Sequence, residues 1–273
     1  MRLIIHPSAD AVANWAAHQI KQRIDCIAPT SDRPFVLGLP TGSTPLKLYS
    51  HLVDLYQQGK LSFKHVVTFN MDEYVGLADG HPQSYHTYMF NRLFSHIDIP
   101  KEQVFMLNGN APDLERECQH YEDTIKAFGG VDLFIGGVGE DGHIAFNEPG
   151  ASLASRTHLK PLSQRTRAAN ARFFNHDIDQ VPKWALTVGL ATVMDAVEVM
   201  ILVQGSHKGV ALQHAIEGGV NHLWPISTLQ LHPRSLVVCD QDATVELKVK
   251  TVRYFTALEQ DSLTLPHLDL TVA

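Results

Sequence analysis

Short apolar runs rich in β-branched residues alternate with longer helical patterns along this chain. The runs are Leu3–Ile5, Phe35–Leu39, Val66–Asn70, Val131–Ile135, Leu186–Gly189, Val197–Val203 and Leu236–Cys239. The helical stretches lie near Ala9–Ile27, Pro45–Gln58, Tyr85–Phe94, Leu114–Ala127, Lys208–Glu217 and Thr244–Phe255. Strands buried on both faces read as continuous apolar runs, as these do. Strands alternating with helices imply parallel pairing with right-handed crossovers. The expected fold is α/β, a single doubly wound, mostly parallel sheet with helices on both faces. No linker, repeat or low-complexity tract divides the 273 residues, so one domain spanning 1–273 is expected. The segment 151–183 has no strong periodicity and carries Arg156, Lys160, Arg165, Arg167 and Arg172. It reads equally as a mobile lid or as a solvated surface segment.

Composition narrows the function. A net charge of −7 argues against nucleic acid as the main partner, though not against an anionic small substrate. No stretch approaches the ~18–20 apolar residues of a membrane span, and the start is too short in its apolar part for a secretory signal. Cys26, Cys118 and Cys239 are odd in number, far apart and in no Cys-x-x-Cys pair. That argues against a disulfide framework or a zinc knuckle and points to the cytosol. The 16 histidines include no His-Glu-x-x-His run.

Three loops at strand ends carry candidate chemistry. Gly136 to Pro149 reads Gly-Gly-Val-Gly-Glu-Asp-Gly-His-Ile-Ala-Phe-Asn-Glu-Pro and follows an apolar strand. Ligands of open α/β sheets bind at such carboxyl ends. His143 between Asp141 and Glu148 can move a proton near neutral pH, because each carboxylate steadies the imidazolium. Gly137 to Gly142 also matches Gly-x-Gly-x-x-Gly. A dinucleotide site is disfavoured, since Glu140 and Asp141 would oppose a pyrophosphate and Pro149 leaves little room for a helix.

The second loop, Gly38-Leu39-Pro40-Thr41-Gly42-Ser43-Thr44-Pro45, joins a strand to a helix. Ser43 or Thr44 can cap that helix, and Pro45 suits its first turn. Free amides and the helix dipole there favour an anion such as phosphate. An ordinary capped turn is the alternative. The third, Thr68-Phe69-Asn70-Met71-Asp72-Glu73-Tyr74, ends a strand with adjacent acids that point in different directions. One can serve as a base while the other caps or pairs; both can also be a plain helix N-terminal pair. Arg172 and Lys208 can bind phosphate, but spacing alone does not bring them together.

Taken together, Leu37–Leu48, Val67–Leu77, Gly136–Pro149, Ser152–Thr157, Arg172–Asn175 and Val203–Lys208 resemble the glucosamine-6-phosphate deaminase family. That family is Rossmann-like, within the sugar-phosphate isomerase-like superfamily. The resemblance implies conversion of glucosamine 6-phosphate and water to fructose 6-phosphate and ammonia, in amino-sugar catabolism. It implies Asp72 as the base for enolisation and His143 for ring opening, assisted by Asp141 and Glu148. Phosphate would sit on Gly42, Ser43 and Thr44 with Arg172 and Lys208, while Thr41 and Gly137 help hold the sugar. No metal or organic cofactor is implied. A homohexamer is implied, with N-acetylglucosamine 6-phosphate as an activator at a subunit interface. Its site maps onto Ala151, Ser152, His158, Lys160, Pro161 and Tyr254. Ser152, Lys160 and Tyr254 fit the family pattern; Ala151, His158 and Pro161 replace its serine, arginine and threonine. Arginine keeps its charge and grips phosphate through two bonds, which histidine does not, so a weakened, pH-sensitive response is expected. A related lactonase, 6-phosphogluconolactonase, needs no C2 base, which the Asp72 segment supplies. A non-catalytic sugar-phosphate sensor would not need the whole acid-base set.

Overall fold

The computed structural model describes residues 1–260; positions 261–273 of the expected domain lie outside the described residues. The strands are β1 Arg2–His6, β2 Phe35–Leu39, β3 Val66–Asn70, β4 Asp72–Tyr74, β5 Val104–Phe105, β6 Leu133–Gly137, β7 His158–Pro161, β8 Trp184–Thr187, β9 Glu198–Val203 and β10 Ser235–Asp240. The helices are α1 Ala9–Ile27, α2 Leu46–Gln57, α3 Tyr85–Arg92, α4 Leu114–Ala127, α5 Gln164–Asn170, α6 Leu190–Met194, α7 Gly209–Ile216 and α8 Val249–Leu258. A seven-stranded sheet runs β1-β10-β9-β6-β2-β3-β5, and its pairings are parallel.

Side-chain alternation along the strands builds two core layers. Ile4, Leu37, Leu39, Leu133, Ile135, Leu202 and Val238 pack with apolar residues of α1, α2 and α3. Leu3, Val36, Phe134, Ile201, Val203 and Val237 face the other way, onto α4, α6 and α7. Each fully buried aliphatic side chain contributes roughly 1.5–3 kcal/mol. Gly38 is required by this packing. A Cβ there would sit 2.4 Å from the Phe134 ring, which lies across β2.

The strand order reverses between β2 and β6. From β2 the sheet continues to β3 and β5; from β6 it continues through β9 to β10 and β1. The pairing at this seam is short, Leu37 with Leu133 and Gly38 with Phe134. Loops leaving β2 and β6 depart to opposite sides, which opens a crevice at their carboxyl ends.

Some sequence expectations change. The run at Leu186–Gly189 is not a strand of the main sheet. Trp184–Thr187 instead forms the centre of a three-stranded antiparallel sheet, β4-β8-β7. A short apolar run looks the same in either setting. The segment 151–183 also holds regular structure, β7, α5 and a 3-10 turn at Ala171–Phe173. Leu162, Ala171, Phe174 and Val181 from it pack with Tyr74, Phe146 and Ala185. Ser43 and Thr44 do not cap α2. Pro45 holds the N-cap position with φ −81° and ψ −2°, and no side chain caps the helix. The expected last helix divides into a 3-10 turn, Gln241–Glu246, and α8. No helix follows Gly142, the next regular element being β7, so the dinucleotide reading lacks its pyrophosphate-binding helix.

Candidate active site

Four neighbouring strands, β9, β6, β2 and β3, lead at their carboxyl ends into the segments that carry the candidate catalytic and phosphate residues other than Arg172, which lies on the 3-10 turn after α5. Asp72 and Glu73 follow β3 and are both buried. Glu73 Oε1 accepts from the amides of Tyr74 (2.8 Å) and Tyr85 (3.0 Å), and Oε2 from His86 (2.9 Å). Ser84 Oγ accepts from Thr87 N (3.2 Å), so the start of α3 is capped from two directions. Asp72 has the opposite surroundings. Its Oδ1 is buried with no hydrogen-bond partner. Burial, and then the Glu73 charge, push its pKa up to about 8. A desolvated carboxyl poised near neutral pH suits a proton carrier.

His143 and Asp141 form a tight pair on the loop after β6. Asp141 keeps a pKa of about 2, chiefly through its bond to His143; burial opposes this and the Arg165 charge assists. An ionised Asp141 makes His143 Nδ1 the donor, at 2.6 Å, and leaves Nε2 as the free ring nitrogen. Gly139 makes room for the ring: a Cβ there would lie 2.1 Å from the imidazole. The loop is pinned by Gly139 N to His143 O (2.9 Å) and Ile226 N to Gly142 O (2.8 Å). Glu148 does not hydrogen-bond to His143. It accepts from Ser163 Oγ (2.5 Å) and Thr166 Oγ1, and Lys160 Nζ stands 3.7 Å away.

The loop after β2 faces this pair across the seam. Gly137 at the end of β6 lies against Thr44, whose side chain would be 3.6 Å from a Cβ on it. Gly42 has φ +100°, and Tyr88 donates to its carbonyl at 2.6 Å. Thr41, Ser43 and Thr44 stand on the same turn, with Ser43 exposed. With no side-chain cap, the first amides of α2 remain available to an anion. Lys208 precedes α7 and is half-buried. Burial lowers its pKa, Glu140 and Asp141 raise it, and Arg172 lowers it further. Arg172 is therefore close enough to act on Lys208, although the two are far apart in sequence. Its guanidinium lies 4.7 Å from the Phe173 ring centroid.

The family model for glucosamine-6-phosphate isomerases/6-phosphogluconolactonase matches residues 7–238. This chain belongs to that family. The glucosamine-6-phosphate deaminase of Edwardsiella ictaluri is 62% identical over 263 residues, covering 96% of this chain and 99% of that one. A solved monomeric glucosamine-6-phosphate deaminase is 40% identical, with TM-score 0.82 over 90% of this chain and 100% of that one. The 6-phosphogluconolactonase of Thermotoga maritima shares the fold at 21% identity and TM-score 0.67, over 88% of this chain and 99% of that one.

The expected effector residues lie on β7, on the loop after Pro149 and on α8. His158, Lys160 and Pro161 share β7, while Ala151 and Ser152 lie on the loop after Pro149. His158 Nδ1 bonds to Arg156 O at 2.7 Å. Tyr254, on α8, makes a ring contact with Phe255. Ser152 Oγ accepts from Ala154 N at 3.2 Å.

Several residues were not legible in the sequence. Asn170 Nδ2 on α5 donates to the Tyr74 hydroxyl at 2.9 Å and ties the 151–183 segment to the Asp72 strand. Ser163 and Thr166, which hold Glu148, carry a weak signal as Ser-x-x-Thr at a helix start. A cavity of about 440 Å³ is lined by Glu73, Asp79, His86 and Asn108 but by none of the candidate residues. Among the described residues no cluster of His, Cys, Asp or Glu is arranged to hold a metal ion.

Proposed function

We propose that this chain converts glucosamine 6-phosphate and water to fructose 6-phosphate and ammonia, a deamination coupled to aldose–ketose isomerisation. The observation that carries the reading is the presence of two proton carriers beyond the carboxyl ends of β3 and β6, the strands that flank β2. One is His143 held by Asp141, and the other is the desolvated Asp72. The relative of 62% identity bears the same activity in its name.

The chemistry follows from these groups. His143 Nε2 takes the O1 proton of the closed sugar and returns one to the ring oxygen, which opens the ring. Asp141 holds the tautomer and steadies the imidazolium. Glu148 assists from its position beside Lys160. Asp72 then carries the C2 proton to C1, giving an enolamine and next a ketose imine. Water adds to the imine, and ammonia leaves. A cationic substrate amine near Asp72 favours its carboxylate form, offsetting the burial that favours the acid. Phosphate binds at Gly42, Ser43 and Thr44, with Arg172 and Lys208 closing over it, and Thr41 and Gly137 contact the sugar. Holding this distant group positions the reacting carbons. Residues 151–183 act as a lid on a single catalytic domain, closing through Arg172.

The same reading includes activation by N-acetylglucosamine 6-phosphate at Ala151, Ser152, His158, Lys160, Pro161 and Tyr254. The 3.7 Å approach of Lys160 to Glu148 supports a route from that site to catalysis. It also includes a homohexamer in the cytoplasm. Val249, Tyr254 and Leu258 on α8 are exposed apolar side chains suited to a subunit contact. No helix among the described residues is long and apolar enough to cross a membrane. The deciding experiment is a coupled assay on purified protein for ammonia and fructose 6-phosphate. Release of neither product from glucosamine 6-phosphate would overturn the reading, and light scattering would test the assembly.

A further inference from the structure

Asp240 is a buried acid that the reaction does not use. It ends β10 and is 4% exposed. Both of its carboxylate oxygens accept from the Gly205 amide at 3.0 Å, and Oδ1 also accepts from Ala243 N at 2.9 Å. These donors sit on two different segments. Gly205 opens the turn between β9 and α7, and Ala243 lies in the 3-10 turn after β10. One carboxylate therefore staples the two together.

Lys208 stands on the first of these segments, three residues beyond Gly205. Its amide donates to Gly205 O at 3.0 Å. Gly205 has φ +85°, a conformation that side-chain-bearing residues rarely adopt, and a Cβ there would also lie 2.8 Å from the His207 ring. Gly209, just after Lys208, is pressed against the second segment. A Cβ on it would sit 3.0 Å from Val245 and 3.1 Å from Glu246. The Lys208 backbone is thus held on one side by a turn that needs glycine and on the other by close packing. Asp240 is the group that bonds to both sides. A charged acceptor on backbone amides is stronger than a neutral one and fixes their direction.

We propose that Asp240 is a positioning residue for Lys208, holding the turn that aims its ammonium at the substrate phosphate. The proposal rests on the phosphate-binding role of Lys208 given above. The sequence offers no sign of it, because a lone acid at a strand end reads as an ordinary cap.

The test is a double-mutant cycle read with inorganic phosphate as a competitive inhibitor, alongside KM and kcat for glucosamine 6-phosphate. Lys208→Ala should weaken phosphate about tenfold to a hundredfold, as for loss of a charged hydrogen bond. Asp240→Ala should weaken phosphate and raise KM, with a smaller loss in kcat. Asp240→Asn keeps one acceptor oxygen and should fall between it and the wild type. The double variant Asp240→Ala with Lys208→Ala should match Lys208→Ala to within about twofold, because both changes remove one interaction. Losses that multiply in full would make Asp240 a general structural residue and overturn the proposal alone. Unchanged phosphate affinity in Asp240→Ala does the same. Unchanged affinity in Lys208→Ala would remove the phosphate role of Lys208 and the proposal with it. Should Asp240→Ala fail to fold, the cycle runs with Asp240→Asn, and the same outcomes decide.

Discussion

Asp72 and Glu73 are adjacent in the chain, yet Glu73 accepts three backbone amides while Asp72 Oδ1 accepts none. Alternation along a strand turns neighbouring side chains to opposite faces. One acid is fully occupied in building the start of α3. The other is left with an unsatisfied oxygen, a costly arrangement that persists where a reaction uses it.

Asp72→Asn is expected to bind glucosamine 6-phosphate and lose turnover by on the order of 10²–10⁴-fold, as for loss of a positioned base. Solvent deuterium should no longer enter the product at the migrating proton. Near-normal turnover would remove Asp72 from the mechanism.

Glu73→Ala is expected to lower stability while leaving the chemistry of the remaining fold in place. Leaving buried amides without an acceptor costs about 1–3 kcal/mol. Denaturant unfolding measures this. A variant as stable as the wild type, but inactive, would reverse the roles assigned to the two acids.

Asp72 also predicts how stability varies with pH. Its folded pKa of about 8 lies above the roughly 3.9 of an unfolded aspartate. The folded state therefore favours the protonated acid. The resulting stabilisation is fully present below about pH 4 and is lost as pH rises through about 8. Asp72→Asn cannot ionise, so its melting temperature relative to the wild type should climb between about pH 4 and about pH 8 and level off above that. A gap constant across that range would contradict the burial of an ionisable Asp72.

His143→Gln should impair the cyclic substrate more than an open-chain one, since the imidazole serves ring opening. Binding of an open-chain analogue is expected to survive. Calorimetry for the analogue and turnover for the sugar separate the two, and an equal loss on both would show a structural role for the pair.

Effector response is expected to be weaker than with arginine at position 158, because arginine keeps its charge and grips phosphate through two bonds. Saturation curves with and without N-acetylglucosamine 6-phosphate, for the wild type and for His158→Arg, measure it. Equal activation of the two would contradict the part given to His158.

The sequence made the main sheet legible because its strands are long apolar runs with clear breaks. β5 escaped notice because Val104–Phe105 is too short to show a period. The run at Leu186–Gly189 reads like a strand of the main sheet because it is short and mostly apolar, and only the partners of β8 reveal the second sheet. At the site, a glycine-dense loop marked His143 and Asp141 as candidates, whereas the residues alone left open which of Asp72 and Glu73 is free, and the family resemblance singled out Asp72. The partners of Glu148 were not. Ser163 and Thr166 reach it across a stretch of chain with no fixed spacing rule. That the Arg172 charge is felt at Lys208 likewise has no local signature in the sequence.

The short pairing between β2 and β6 divides the proposed chemistry by address. Strands on one side of that seam bring the enolising acid and the phosphate turn. Strands on the other bring the ring-opening imidazole and the lysine. Each reaction step thus hangs on its own half of the sheet, and the halves touch over few residues. On this reading, altering Asp72 at the start of β4 should silence proton transfer at carbon while the pocket still opens the ring and grips the phosphate.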